Sequence, residues 1–403
     1  MNSSKSLVHV DLSYNNLNSS IFQWLSGTHT NLVHLDLSGN NFTGVVGWLE
    51  AVNMLPKLTN LILQRCNLPP PIISSVSVMN SSKSLVHVDL SYNNLNSSIF
   101  QWLSSTHTNL VHLDLSGNNF TGVVGWLEAV NMLPKLRDLI LYGCNLPRPI
   151  ISSVSVMNSF KSLVRVDLSD NNLNSSIFQL LSGTHTNLVE LDLSRNNFTG
   201  GVGWLEAVNM LPKLTNLILS GCNLPPPIMS SVSVMNSSKS LVRVDLSVNN
   251  LNSSIFQWLS GTHTNLVELD LSWNNLNGSS IPDDFGNMSS LAYLALSGSR
   301  LKGGIPNSFA KLCRLRELRL CNNSLSGQLS DIIDILSKCA QNTLEYLDIS
   351  DNHGIMGSVP ENIGQMSKLE AIYFGGNSLE GVISEIHFSK LFQLLIWIYP
   401  PTH

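Results

Sequence analysis

Short clusters of leucine, isoleucine and valine recur along the whole chain about every 25 residues. In the first cluster the apolar residues Val10 and Leu12 alternate with the polar residue Asp11. This period of two predicts a short β-strand whose apolar side chains face a core and whose polar side chains face outwards. Leu7 and Leu17 lie on either side and are predicted to close the same core from the adjoining turns.

A longer repeat contains these clusters. The sequence that begins at Met1 restarts at Met79, Met157 and Met235, a period of 78 residues, and the fourth copy continues to about Asn275. Each copy carries three clusters, and those of the first copy read SLVHVDLSYNNL, NLVHLDLSGNNF and KLTNLILQRCNL. All three match L-x-x-L-x-L-x-x-N/C-x-L, the leucine-rich repeat signature.

The predicted fold is an α/β solenoid, a leucine-rich repeat superhelix with a parallel β-sheet on its concave face and short helices or turns on its convex face. Residues 1–275 hold repeats 1–11, residues 276–390 hold repeats 12–15, and residues 391–403 are predicted to be a truncated repeat or tail. The sixteenth repeat is expected to lose its regular form after Ile396. The asparagine at the position of Asn15 is expected to bind backbone groups of a neighbouring coil.

Composition and the motifs that the sequence lacks argue against several classes of function. A net charge of −5 argues against nucleic-acid binding, since there is no surplus of cations to meet phosphates. No run of 18 apolar residues and no apolar N-terminal signal segment occurs in the sequence. The chain also contains no H-E-x-x-H, G-x-S-x-G, phosphate-loop or kinase signature. We therefore expect a binding protein, neither an enzyme nor dependent on a cofactor or metal.

A second motif follows the clusters from Leu276 onwards. It reads Ser280-Ile281-Pro282, then Gly303-Gly304-Ile305-Pro306, then Gly357-Ser358-Val359-Pro360, and the run Leu312–Cys339 reads LCRLRELRLCNNSLSGQLSDIIDILSKC. These segments resemble the ectodomain of plant receptor-like proteins of the disease-resistance and fungal xylanase receptor type. The resemblance implies a cell-surface glycoprotein, held at the plasma membrane in its full-length form, that binds an elicitor or peptide and signals through partner kinases.

The sequence departs from that family at both ends. Such receptors carry a signal peptide, terminal caps and a membrane helix, and the sequence shows none of them. We therefore expect an ectodomain fragment or a truncated gene product. Two alternatives remain open, namely an apoplastic inhibitor of a microbial wall-degrading enzyme and a non-functional remnant of tandem duplication.

Glycosylation acceptors of the form N-x-S/T favour a secreted protein. The thirteen are Asn2, Asn18, Asn41, Asn80, Asn96, Asn119, Asn174, Asn197, Asn236, Asn252, Asn277, Asn287 and Asn322. Cys313 and Cys339 lie at adjacent predicted strands and could form a disulfide in an oxidising compartment. Cys66, Cys144 and Cys222 are three repeats apart, too far to pair, and are expected to be small buried groups. The state of Cys321 stays open.

Differences between the tandem copies predict the binding face. They fall mainly at positions expected to point outwards from the strands, where a change alters binding without altering the fold. With the outward aromatic residues, they define a concave ligand-binding face for a peptide, protein or glycan ligand. Its residues are Tyr14, Gln64, Arg65, Tyr92, Tyr142, Arg165, Asp170, Glu190, Arg195, Arg243, Glu268, Trp273, Tyr293 and Tyr346. An equally simple explanation is that outward positions tolerate change.

Three further sets of residues have structural interpretations. The pairs His9/His34 and His87/His112 suggest either a metal or pH-sensitive site or solvated surface histidines. The aspartates at the position of Asp11 are expected to belong to the framework. Trp24, Trp48 and their copies are expected to pack on the buried convex side.

Overall fold

The computed structural model describes ten ranges of the chain. They are residues 7–28, 31–72, 84–106, 109–123, 125–149, 162–181, 187–201, 203–228, 239–260 and 265–398. The chain divides into two compact units, a first unit Met1–Asn197 and a second unit Phe198–His403.

The first unit is built around a parallel β-sheet of short strands. Each three-residue strand pairs with the next one along the chain, so Val10 lies beside Leu35 and Leu35 beside Leu61. The strands are β1 His9–Asp11, β2 His34–Asp36, β3 Asn60–Ile62, β4 His87–Asp89, β5 His112–Asp114, β6 Asp138–Ile140, β7 Arg165–Asp167 and β8 Glu190–Asp192. The helices between them are α1 Ser20–Thr28, α2 Trp48–Asn53, α3 Ser98–Thr106, α4 Trp126–Asn131 and α5 Ser176–Leu181.

The second unit repeats this arrangement and adds a second sheet. Its helices are α6 Trp204–Asn209, α7 Ser254–Leu259 and α8 Leu329–Ser337. The main-sheet strands are β9 Asn216–Ile218, β10 Arg243–Asp245, β11 Glu268–Asp270, β12 Tyr293–Ala295, β14 Glu317–Arg319, β16 Tyr346–Asp348, β18 Ala371–Tyr373 and β20 Ile396–Ile398. A second sheet is formed by β13 Lys302–Gly303, β15 Ser324–Gln328, β17 Gly354–Gly357 and β19 Ser378–Leu379, of which β13 and β17 end at the first glycine of a G-x-I/V-P segment. Five short 3₁₀ helices complete the coils, at Asp283–Asn287, Asn307–Lys311, Ala340–Asn342, Glu361–Gln365 and Glu385–His387.

The last strand extends further than the sequence predicted. The sixteenth repeat was expected to lose its form after Ile396, yet β20 continues to Ile398 and pairs with β18. Pairing with the preceding coil accounts for the extension, because Trp397 lies beside Ile372 and Ile398 lies beside Tyr373 of β18.

Buried leucines and a ladder of asparagine side chains hold the coils together. Leu35, Leu37 and most of their equivalents are fully buried, as the period-two pattern predicted, whereas Leu12 in the first coil is half-buried. Asn93 shows the ladder at its most complete: its Nδ2 donates to the carbonyls of Leu63, Leu90 and Ser91, and its Oδ1 accepts from the amides of Cys66 and Leu68. Each buried asparagine of the ladder therefore satisfies backbone groups of two coils, which confirms the predicted role, whereas Asn15 is exposed and bonds only to Leu12 and Ser13 of its own coil.

We call the position of these ladder asparagines the ladder position. Every third coil of the tandem block has cysteine there instead. Cys66, Cys144 and Cys222 are buried free thiols, as expected. The backbone carbonyl of Cys66 accepts a hydrogen bond from the Phe42 amide. In coils with asparagine at this position, the side-chain Oδ1 accepts the equivalent bond. Burial raises the pKa of Cys66 to about 11. The thiol therefore stays protonated at neutral pH, as befits a structural residue.

Each strand is followed by a tight turn in the left-handed backbone region. We call the residue just before the ladder position the turn slot; it has a φ between 52° and 68° in fifteen successive coils. Glycine occupies six slots, at Gly39, Gly117, Gly143, Gly221, Gly298 and Gly376. The other nine hold Tyr14, Arg65, Tyr92, Asp170, Arg195, Val248, Trp273, Asn322 and Asp351. Hydrogen bonding to the next coil continues through the slot, since the Tyr14 amide donates to the Ser38 carbonyl.

The buried tryptophans confirm one expectation and correct another. Trp48, Trp126 and Trp204 are almost fully buried, as are Trp102 and Trp258. Trp24, however, is 43% exposed. Its copy Trp102 is covered by the coil that bears Asn53, 49 residues earlier, and donates Nε1 to that side chain at 3.2 Å. The sequence contains no position 49 residues before Trp24, so the contact that Trp102 makes with Asn53 has no counterpart at Trp24.

Candidate ligand-binding face

Cross-strand charge pairs lie on the exposed face of the first-unit sheet and of the main sheet of the second unit. Arg165 and Glu190 are in register on β7 and β8, with Nε and Oε2 2.5 Å apart, and Arg243 and Glu268 pair at 3.1 Å on β10 and β11. The sequence placed all four residues on the predicted binding face. All four side chains are more than a third exposed, so each pair contributes at most about 1 kcal/mol to stability.

The histidines at the same strand position form two different pairs. The rings of His87 and His112 are stacked, with centroids 4.2 Å apart and an interplanar angle of 5°, whereas those of His9 and His34 are tilted at 5.9 Å. His112 also lies 3.5 Å from Asp138 on the next strand. Within the described ranges, no group of three or more histidine, cysteine or acidic side chains could hold a metal ion. The stacking of His87 on His112 supports a pH-sensitive site at that pair, while the interpretation as solvated surface histidines stays open for His9 and His34.

Because its pKa is lowered, His87 should make the first unit less stable in mild acid. Burial, and then the neighbouring His112, lower the pKa of His87 below the ordinary value of 6.5. The unfolded chain therefore takes up its proton first as the pH falls below 6.5, and the free energy of unfolding decreases until the folded-state pKa is passed. We expect His87→Asn to reduce the stability lost between pH 7.5 and pH 5, measured by urea unfolding. A His87 ring that titrates at or above 6.5 by NMR would contradict this.

A depression on the exposed face of the second-unit sheet brings several predicted residues together. It has a volume of about 770 Å³ and extends across the strands from β10 to β18. Four predicted binding residues line it, namely Arg243, Glu268, Tyr293 and Tyr346. Trp273, another residue of the predicted binding face, is not among the residues that line it.

Arg319 occupies the centre of this second-unit depression and was not predicted. Its guanidinium carbon lies 5.9 Å from the ring centre of Tyr293 and 4.7 Å from that of Tyr346. Its Nε donates to Glu317. Its Nη1 and Nη2 atoms make no hydrogen bond with the described residues. The guanidinium is therefore held between two aromatic rings with donors left for another molecule.

The sequence did carry a signal for Arg319. In most coils the third strand position is an aspartate whose Oδ1 accepts from the serine two residues later, as Asp348 does from Ser350. This bond holds the turn and confirms that the aspartates belong to the framework. At Arg319 the aspartate is absent, and Cys321 replaces the serine. The same double loss occurs at Ile62, Ile140 and Tyr373, but among the coils that lack both framework residues Arg319 alone places a charged side chain at the strand position.

The surroundings of the second-unit depression are polar and partly buried. Arg316 binds Glu345 through two hydrogen bonds of 3.0 and 2.9 Å, and neither residue was predicted. The hydroxyl group of Tyr293 donates to Asp270 Oδ2 at 3.3 Å. Burial raises the pKa of Tyr346 to about 12, and it also raises the pKa values of Tyr293 and Asp270. The tyrosines therefore remain protonated hydrogen-bond donors at neutral pH.

The other predicted binding residues lie outside the strands, which corrects the sequence-based assignment. Six of them occupy turn slots: Tyr14, Arg65, Tyr92, Asp170, Arg195 and Trp273. Gln64 and Tyr142 precede a slot in the same turns. The reason is that each main-sheet strand has only three residues, so the outward positions of the repeat continue into the turn.

The turn-slot side chains lean towards the following coil. A Cβ atom on Gly39 would lie 2.7 Å from the Tyr14 ring, and one on Gly298 would lie 2.7 Å from the Trp273 ring. Arg65 lies over the Tyr92 ring at 5.0 Å. The predicted binding residues are thus divided between the sheet face and this rim of turns.

The predicted acceptors and cysteines are placed as follows. Nine acceptor asparagines are exposed and Asn174 is half-buried, the exposed ones being Asn18, Asn41, Asn96, Asn119, Asn197, Asn252, Asn277, Asn287 and Asn322. Asn2, Asn80 and Asn236 lie outside the described residues. Cys313 and Cys339 are joined by a disulfide, with Cα atoms 4.5 Å apart. Cys321 is half-buried and donates to Ser297 Oγ at 3.2 Å.

Comparison with known proteins agrees with this architecture. The Leucine Rich Repeat family matches residues 6–28, 31–50, 84–106, 109–128, 187–206, 265–288 and 314–336. The receptor-like protein EIX2 of Solanum lycopersicum is 30% identical over 184 residues, which are 45% of this chain and 18% of EIX2. The Arabidopsis thaliana receptor-like protein kinase BRI1-like 3 is 36% identical over 254 residues, which are 62% of this chain and 21% of the relative. The chain has the leucine-rich repeat fold and is similar to plant receptor-like proteins.

This leucine-rich repeat chain spans about a fifth of the length of the two curated relatives. Among solved structures it is similar to the Arabidopsis receptor kinase HAESA, in complex with the peptide hormone IDA and the co-receptor SERK1. The TM-score is 0.60 at 24% identity, and the match covers 98% of this chain and 66% of HAESA. At that identity the likeness establishes the leucine-rich repeat fold alone. Across the ten described ranges, no helix has the length and apolar character needed to cross a membrane.

Proposed function

We propose that the chain is the extracellular ligand-recognition module of a plant cell-surface receptor-like protein of immune type, and that it binds a peptide ligand in the second-unit depression. EIX2 is named as a receptor-like protein, and HAESA was solved with a peptide hormone and a co-receptor. Transferred to this chain, these relatives suggest a location at the plant cell surface. They also suggest signalling that requires co-receptor kinases as partners.

The observation that carries this proposal is the position of Arg319 in the second-unit depression. Tyr293 and Tyr346 enclose its guanidinium group, so little side-chain entropy is lost when a ligand binds it. Tyrosine and arginine are the residue types that most often dominate binding energy. The depression, open along the sheet, suits an extended peptide.

The exposed acceptor asparagines support an extracellular location. In five of them, Asn18, Asn41, Asn96, Asn119 and Asn252, the Oδ1 atom accepts from the serine or threonine two residues later. We propose that the ten described acceptors carry N-linked glycans. The Cys313–Cys339 disulfide belongs to the same oxidising environment.

Selection from a phage-displayed library of random dodecapeptides tests the proposed site. We expect peptides to be enriched that bind the native chain and that bind Arg319→Ala at least about 30-fold more weakly, the loss of a residue worth 2 kcal/mol or more. Arg165→Ala is the matched control, because it removes an arginine of a similarly exposed Arg–Glu pair in the first unit. If no peptide were enriched, or if both variants bound like the native chain, the depression would not be the recognition site.

A further inference from the structure

The charges that line the second-unit depression do not cancel. Three arginines face six carboxylates, which leaves a net charge of −3. Each arginine is already paired with one glutamate: Arg243 with Glu268, Arg316 with Glu345 and Arg319 with Glu317. The carboxylates left over are Asp245, Asp270 and Glu370. The surplus negative charge therefore belongs to three identified residues.

These three carboxylates lie at opposite ends of the depression. Asp245 and Asp270 are directly opposite each other on β10 and β11, an arrangement in which like charges repel. Glu370 precedes β18, four strands further along the sheet. With neighbouring strands about 4.8 Å apart, the two ends are separated by roughly 20 Å. The arginine enclosed by tyrosines lies between them.

Partial burial makes the Asp245/Asp270 end receptive to a positive charge. Burial and the neighbouring Asp245 raise the pKa of Asp270, which means that the surroundings disfavour its charged form. A cation placed beside the two aspartates would relieve both the repulsion and the desolvation. At the centre, Arg319 already covers the faces of the two tyrosine rings and leaves no equivalent place for a cation.

We propose that the second-unit depression binds an extended peptide with two basic side chains about six residues apart, one held by Asp245 and Asp270 and the other by Glu370. The spacing follows from the separation of roughly 20 Å and a rise of about 3.3 Å per residue in an extended chain. The inference rests on the proposed function and adds the chemical class of the ligand. It also predicts that binding weakens with salt and, as Asp270 becomes protonated, in acid.

The dodecapeptides enriched from the library test this inference directly. We expect them to carry lysine or arginine at two positions five to seven residues apart, and to bind at least 10-fold more weakly when either is changed to glutamine. Asp270→Asn and Glu370→Gln should each weaken binding at least 10-fold. The asparagine retains an oxygen for the Ser272 amide, so the turn should still form. Asp192→Asn, the same substitution in the first unit, is the control.

The possible outcomes separate this inference from the proposed function. Enriched peptides that lose binding to Arg319→Ala but carry no paired basic residues, and bind Asp270→Asn normally, would overturn the ligand class and leave the function standing. The absence of any enriched peptide would overturn both. Changes made in the peptide test the same contacts without altering the protein, so a variant that folds poorly does not decide the result.

Discussion

Asn93→Ala should lower the free energy of unfolding of the first unit by about 4 kcal/mol. The Asn93 side chain is 7% exposed and makes five hydrogen bonds to backbone groups of two coils. Alanine would leave the amides of Cys66 and Leu68 and the carbonyl of Leu63 buried without their partner. Each unsatisfied group costs about 1–3 kcal/mol, and part of this is recovered by local relaxation.

Urea unfolding and hydrogen exchange test this expectation together. The unfolding midpoint should fall, and the amides of Cys66 and Leu68 should exchange faster than in the native chain. Asn15→Ala is the control, because Asn15 is exposed and its amide reaches only Leu12 and Ser13 of its own coil. If both substitutions cost the same, the ladder would not be what joins the coils.

The fold could be predicted because each position of the repeat signature corresponds to a defined place in the coil. The period-two spacing of Val10 and Leu12 fixes which side chains face the core, and stacking in sequence order makes the sheet parallel. The ladder was predictable for the same reason, since a buried asparagine must find backbone partners. The extent of the last strand was not predicted, because Trp397 and Ile398 are held by pairing with β18 of the preceding coil rather than by a pattern in β20 itself.

The binding face was predicted only in part. Hydrophobic spacing shows which residues point outwards but not where the strand ends, so Tyr14 and Trp273 were assigned to a strand that stops before them. Glycine at the equivalent slots Gly39 and Gly298 was the available signal for a left-handed turn. Arg319 was missed because its importance comes from the two rings on either side of it, which adjoin it only once the coils are stacked.

The tandem copies differ in the core residue at the position of Trp102, and comparing them shows the effect of its size. Its indole is fully buried, and its Nε1 donates to Asn53; Trp258 repeats the contact with Asn209. In the third copy the position is Leu180, and a small apolar cavity of about 20 Å³ lies against it. Leu163 and Leu188 are among the other residues that line this cavity. The smaller side chain has therefore left space that its neighbours do not fill completely.

Trp102→Leu should lower the free energy of unfolding by about 3 kcal/mol, because it removes buried apolar surface and a hydrogen-bond donor together. Trp24→Leu should cost under about 1 kcal/mol, since that indole is already 43% exposed. Leu180→Trp should do the reverse and raise stability by about 1 kcal/mol, less than the Trp102 loss because neighbouring side chains must move. Urea unfolding measures all three. If Leu180→Trp were destabilising, the third copy would have repacked around leucine, and the tryptophan would be specific to its own coil rather than a part of the repeat.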